Sequence, residues 1–191
     1  MGKARVEAFS DGVFAIIITI MVLELKVPHG PDLAALRPLC ASFAAYVVSF
    51  VYVGIYWANH HHLLHTVKHV DGWVIWANLA LLFVLSLVPL TTAWFGEYPD
   101  AAVPAAAYGV VLLAAGNAWL LLQRAIIRRD GPDSPLARAI GSDLKGRLSS
   151  VGYAAAVGLA FVSSWLAAAI YVAIAIAWLV PDRRITRVVE Q

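Results

Sequence analysis

Three polar residues stand within or beside the first apolar stretch of this chain, and their spacing is what could carry chemistry. Asp11 lies just inside one end, Glu24 near the other, and Thr19 between them. On a helix, Gly12/Val13, Ile16, Thr19/Ile20 and Leu23 share one stripe, and the rise from Ile16 to Leu23 is about 10.5 Å. Such a stripe can pack against neighbouring helices, as most intramembrane faces do. It can also face an axis shared by several subunits, where rings of Ile and Leu narrow a pore and Thr19 adds a ring of hydroxyls. Apolar constrictions gate by dewetting, so greasy side chains are compatible with a pore. Ser10-Asp11 has two readings as well. Ser10 can cap a helix start with Asp11 at the positive end of the dipole, or Asp11 can tie the helix to a neighbour or line a water-filled vestibule.

The histidines form a second candidate group. His61, His65 and His69 are spaced by four and share a helix face, while His60 and His62 point elsewhere. Imidazole ligates zinc and haem, but Cys partners are missing nearby and the acids there are isolated residues such as Asp71. At a helix end histidine also satisfies terminal carbonyls, and its titration near neutrality suits pH sensing. The expectation is no metal and no cofactor. No H-E-x-x-H, G-x-S-x-G or phosphate-binding glycine loop is present, so no enzyme is expected.

The elements that position these residues follow from composition. Of 191 residues, 61% are hydrophobic and 14% charged, with a mean hydropathy of +0.76. Soluble domains are nearer 45–50% apolar and roughly 25% charged. Apolar runs of about 20 residues match the hydrocarbon thickness as helix, and ten-residue alternating strands are absent, which argues against a membrane barrel. A net charge of +2 does not suggest nucleic-acid binding, and a single cysteine, Cys40, excludes an intrachain disulfide. Lys3 and Arg5 before an apolar run resemble a secretory signal. Asp11, Glu24 and Lys26, together with the lack of a small-residue cleavage motif, argue against cleavage.

The expected fold is all-α, a single domain over 1–191 with six transmembrane helices at about 8–25, 36–60, 72–95, 101–122, 148–162 and 165–180. Pro89 kinks the third. A polar loop of about two dozen residues follows the fourth, and the last apolar stretch divides near Ser163-Ser164. The positive-inside rule places Lys3 and Arg5, Lys68, the Arg-rich loop and Arg183, Arg184 and Arg187 on one side, so both termini are expected in the cytoplasm. Tryptophans including Trp57, Trp76 and Trp178 read as an interfacial belt without further function.

Arg5-x-x-x-Phe9-Ser10-Asp11, opening a first span, resembles the R-x-x-x-F-S-D signature of the bacterial relatives of the endolysosomal potassium channel, the transmembrane protein 175 family. The likeness extends to Tyr56-Trp57-Ala58-Asn59-His60-His61, to Trp76-Ala77-Asn78-Leu79 and to the six-span layout. The resemblance implies a homotetrameric potassium-permeable channel in the bacterial plasma membrane, with the first helix lining the central pore and no carbonyl filter of the T-V-G-Y-G type. By position it implies that Ile16, Thr19, Ile20 and Leu23 face the permeant ion. Arg5, Phe9, Ser10 and Asp11 would hold the pore helix, and Asn59, His60, His61 and Asn78 would make polar contacts between helices or subunits. The alternative function is a proton-coupled secondary transporter using Asp11, Glu24 and the histidines.

Overall fold

The computed structural model describes residues 2–67, 70–140 and 143–179. Lys68, His69, Arg183, Arg184 and Arg187 lie outside the described residues. All regular structure in the described part is helical. Helix α1 runs Lys3–Leu23, a 3-10 stretch Leu33–Leu39 leads into α2 at Cys40–Thr66, and α3 and α4 are Gly72–Leu85 and Val88–Glu97. Helix α5 is Ala102–Asp130, α6 is a short turn at Pro135–Ile140, and α7 and α8 are Leu144–Leu159 and Ser164–Leu179. The segments 3–23, 33–66, 72–97 and 102–130 are each long and apolar enough to cross a membrane, with mean hydropathies of 2.0, 1.8, 2.2 and 1.8.

The β-branched run Ile16-Ile17-Ile18-Thr19-Ile20 is helical despite its modest propensity for it. In hydrocarbon every backbone amide must be satisfied within its own segment, and that requirement outweighs side-chain preference. Helix α1 begins at Lys3, five residues before the expected start, so Ser10 and Asp11 lie in the helix interior. The reading of Ser10 as an N-cap is therefore corrected. Its hydroxyl donates to the Val6 carbonyl of its own helix at 2.8 Å.

Three further boundaries differ from the sequence expectation. Helix α2 continues to Thr66, which makes His61, His62 and His65 helical. Helix α5 continues to Asp130, so much of the expected polar loop is helix. Arg128 and Arg129 fall in its last turn, where cations suit the dipole, and Gly131 stops it at φ 96°. The third expected span breaks between Leu85 and Val88, and Pro89 sits in the first turn of α4, where its missing N–H has no partner to lose. The last apolar stretch divides just before the expected place, with α8 opening at Ser164.

Two buried clusters hold the helices together. One joins α1, α2, α3 and α5 through Phe14, Ile17, Met21, Leu64, Leu81, Leu85 and Leu122. The other joins α2, α5, α7 and α8 around Tyr52, Tyr108, Tyr153 and Tyr171. Hydroxyls within the second are satisfied: Tyr52 donates to the Tyr171 carbonyl at 2.6 Å, Tyr171 to the Ala105 carbonyl at 3.1 Å, and Thr92 to Ser49, which bonds Tyr108.

Small residues allow these approaches. Gly96 lies so close to α2 that an added Cβ would sit 2.7 Å from the Ser42 Cα, beside the Ser42 hydroxyl bond to the Gly96 carbonyl at 3.1 Å. Backbone cannot yield as a side chain can. Gly96→Ala is expected to lower stability by about 1–3 kcal/mol, the usual cost of overpacking, seen as a lower Tm in detergent. Gly54→Ala, where nothing lies within 4 Å, should leave Tm of the isolated subunit unchanged.

Candidate functional site: the outward stripe of the first helix and the polar cluster that holds it

Helix α1 has two faces of different character. Val6, Ser10, Phe14, Ile17 and Met21 are buried against the rest of the chain, at spacings of three and four. This is the register of one helix packed on its neighbours. The opposite face carries Arg5, Phe9, Gly12, Ile16, Thr19 and Leu23, all exposed. Their spacing of 4-3-4-3-4 defines a second stripe, exposed along its whole length. Ile16 is 59% exposed and Leu23 76%, while Ile20 at the edge of the stripe is 42% exposed.

Thr19 has a defined chemistry on this face. Its hydroxyl donates to the Ala15 carbonyl at 2.8 Å, so the proton is engaged by the helix itself. What the side chain offers outward is oxygen lone pairs, the group a monovalent cation coordinates. Above and below it stand branched apolar side chains.

The buried face of α1 is fixed by a polar cluster. The Asn78 side-chain amide of α3 donates to Ser10 Oγ at 3.0 Å, and Asn78 Oδ1 lies 2.7 Å from His60 Nε2 of α2. The short contact to a carbonyl oxygen requires the proton on Nε2. Phe14, one turn on from Ser10, meets the His60 ring edge to face at 5.6 Å. Ser10, Asn78 and His60 are 0%, 2% and 2% exposed, so α1, α2 and α3 are joined through groups cut off from solvent. Buried polar groups that are fully paired specify one arrangement, because any other leaves them unsatisfied.

The remaining candidate residues separate on inspection. Asp11 is exposed, and its Oδ1 accepts from the Trp57 indole N–H at 3.0 Å. Sequence alone places Trp57 in the interfacial belt, and nothing local marks this contact 46 residues distant. Asn59 bonds back to the Ile55 carbonyl of its own helix at 2.8 Å. His61 is exposed, stacked on Trp57 and next to His65 with ring centroids 4.5 Å apart. No group of three or more His, Cys, Asp or Glu able to hold a metal ion exists among the described residues. Glu24 caps the far end of α1 by its backbone N–H, while Lys26 pairs with Glu97 at 2.9 Å.

Residues 5–89, which contain the stripe and all three members of the polar cluster, match the family model described as endosomal/lysosomal potassium channel TMEM175. The fold superposes on the crystal structure of a lysosomal potassium-selective channel TMEM175 homolog from Chamaesiphon minutus with a TM-score of 0.82 and 32% identity, covering 94% of this chain and 97% of that one. This chain belongs to the TMEM175 family. A potassium channel of Chryseobacterium sp. (strain P1-3) is 49% identical over 191 residues, 100% of either chain. One of Streptomyces collinus is 43% identical over 175 residues, 85% of this chain and 84% of that one. TMEM175 membership makes this an ion-channel family fold and agrees with the lack of enzyme signatures in the sequence.

Proposed function

We propose that this protein is a homotetrameric potassium-permeable channel of a bacterial plasma membrane, with α1 of each subunit lining a central pore. The observation that carries this reading is the second face of α1. A complete stripe of Phe9, Gly12, Ile16, Thr19 and Leu23 is exposed in its own subunit, although the opposite face is locked to it by the Ser10–Asn78–His60 cluster. Four such helices around an axis place Ile16 and Leu23 in apolar rings, with Thr19 oxygen between them and Ile20 at the margin.

In this assembly the chain crosses the bilayer six times, with α3 and α4 acting as one broken span and both termini in the cytoplasm. Arg5 and Phe9, exposed in the single subunit, contact neighbouring subunits at the cytoplasmic end of the pore. Ser10 and Asp11 anchor α1 to α3 and α2. The permeant ion sheds part of its hydration at the rings and meets Thr19 oxygen on the way. Closing the rings leaves a gap too apolar to hold water, and conduction stops without any side chain changing charge. No cofactor takes part.

Reconstitution in liposomes tests the reading. A potassium gradient is expected to drive passive, non-saturating flux that needs no proton gradient. Flux absent beside an active control channel, or flux strictly coupled to protons, would sink it.

A further inference from the structure

The two ends of α1 are held to their own subunit by different means. In the first half, Lys3 donates to the His65 carbonyl at 3.1 Å, Asn78 to Ser10 at 3.0 Å and the Trp57 indole to Asp11 at 3.0 Å. Among the described residues, no side-chain hydrogen bond joins the second half of α1 to another helix. Thr19 bonds within its own helix, while Ile17 and Met21 are held by apolar burial.

Past the last turn the tie is an ion pair. Lys26, three residues beyond Leu23, meets Glu97 at 2.9 Å. Glu97 is the last residue of α4, and α4 is a fixed post. The Gly96 backbone lies tight against Ser42, and Thr92 donates to Ser49 at 2.7 Å, both on α2. Beside the pair is a cavity of about 70 Å³, bounded by Met21, Glu24, Lys26, Tyr46, Thr92 and Glu97. One water needs roughly 10–15 Å³ of such space, so the cavity is several times larger. Methionine is flexible and fills irregular gaps readily, so Met21 can repack there when the end of α1 shifts.

We infer that Lys26 and Glu97 are positioning residues for the outer end of the pore, holding the Leu23 ring wide by drawing α1 toward α4; this role rests on the pore reading above. Helix α4 packs on α1 on the side of buried Met21, whereas Leu23 is 76% exposed on the opposite stripe. A pull toward Glu97 is therefore a pull off the axis. The buried Ser10–Asn78–His60 cluster fixes the other end and serves as the pivot. Glu24 lines the same cavity but belongs to the moving segment, so pairing Lys26 with it would not tether α1 to α4. The Lys26 and Glu97 side chains are 62% and 49% exposed, so salt screens the pair and its loss shifts an equilibrium by severalfold only.

Single-channel recording tests the assignment. Glu97→Gln and Lys26→Met are each expected to lower open probability roughly twofold to fivefold, the equilibrium factor of an exposed ion pair. The Lys26→Glu/Glu97→Lys exchange rebuilds the pair with the same net charge and is expected to recover most of that loss. Raising the outer ionic strength with impermeant N-methylglucamine chloride should lower open probability in wild type and leave Glu97→Gln unaffected. Tm should stay at the wild-type value throughout, because both side chains are exposed, so a merely structural role would not produce this pattern. Wild-type open probability in either single variant, or an exchange variant no better than the singles, would overturn the inference and leave the pore intact. A wild type that carries no current would overturn the pore reading itself, and this role with it.

Discussion

Ile16→Asn is expected to raise potassium flux about tenfold, because removing about 1.4 kcal/mol from a barrier accelerates passage by that factor. The reason lies in the first apolar ring. In the proposed tetramer four Ile16 side chains meet at the axis, where they disfavour water and an ion must leave part of its shell behind. Asparagine has similar bulk but offers an amide that replaces some of the lost water. The same change should weaken discrimination between potassium and sodium, since a polar ring admits a better-hydrated ion. In the single subunit Ile16 is 59% exposed, so the substitution removes little packing inside the chain. Stability of the subunit should be unaffected, which separates a pore effect from a folding effect. Single-channel recording in a planar bilayer reads both quantities, and unchanged conductance with unchanged ion preference would remove Ile16 from the pore.

Asn78→Leu is the second large effect, and it acts on the frame instead of the pathway. The substitution removes both hydrogen bonds that join α1, α2 and α3, the 3.0 Å bond to Ser10 and the 2.7 Å bond to His60. His60 Nε2 is then left buried without a partner. Ser10 keeps its bond to Val6, so the loss falls mainly on the histidine. Stranding one buried polar group costs about 1–3 kcal/mol. A lower Tm in detergent and a smaller tetrameric fraction are expected from gel filtration with light scattering. Thr19→Val, which removes only a hydroxyl bonded within its own helix, is expected to keep Tm while altering conductance. If Asn78→Leu were as stable as wild type, the cluster would not be what fixes α1.

Part of this arrangement is legible in the amino-acid sequence. That Ile16, Thr19 and Leu23 share one face, apart from Phe14, Ile17 and Met21, follows from 3.6-residue periodicity; that this face is the exposed one is set by the packing of the other helices. The apolar segments of α1 to α5 were legible from length and hydropathy, which measure the same physical requirement the bilayer imposes. Helix ends were less so. The sequence of α1 turns apolar at Ala8, but the helix starts at Lys3, since a helix entering water carries its polar first turns with it. The extension of α5 to Asp130 has the same origin. Hydropathy reports where the apolar stretch ends, and the backbone continues until Gly131 releases it. Least legible were long-range partnerships. That Ser10 meets Asn78, and Asp11 meets Trp57, depends on how three helices pack, and no local pattern encodes it. Asn59 and His61 illustrate the converse: they sit beside His60 in sequence, yet a rotation of 100° per residue sends one back to its own helix and the other outward.

The most direct test of the central claim is a cysteine scan through α1 in a background where the native Cys40 is serine. Each of positions 12 to 23 is replaced in turn, and block of potassium current by silver or cadmium ions is recorded. A pore lined by the outward stripe predicts rapid block at 12, 16, 19 and 23, weaker block at 20, and none at 14, 17 and 21. Block at Phe14, Ile17 or Met21, or block independent of position, would contradict it.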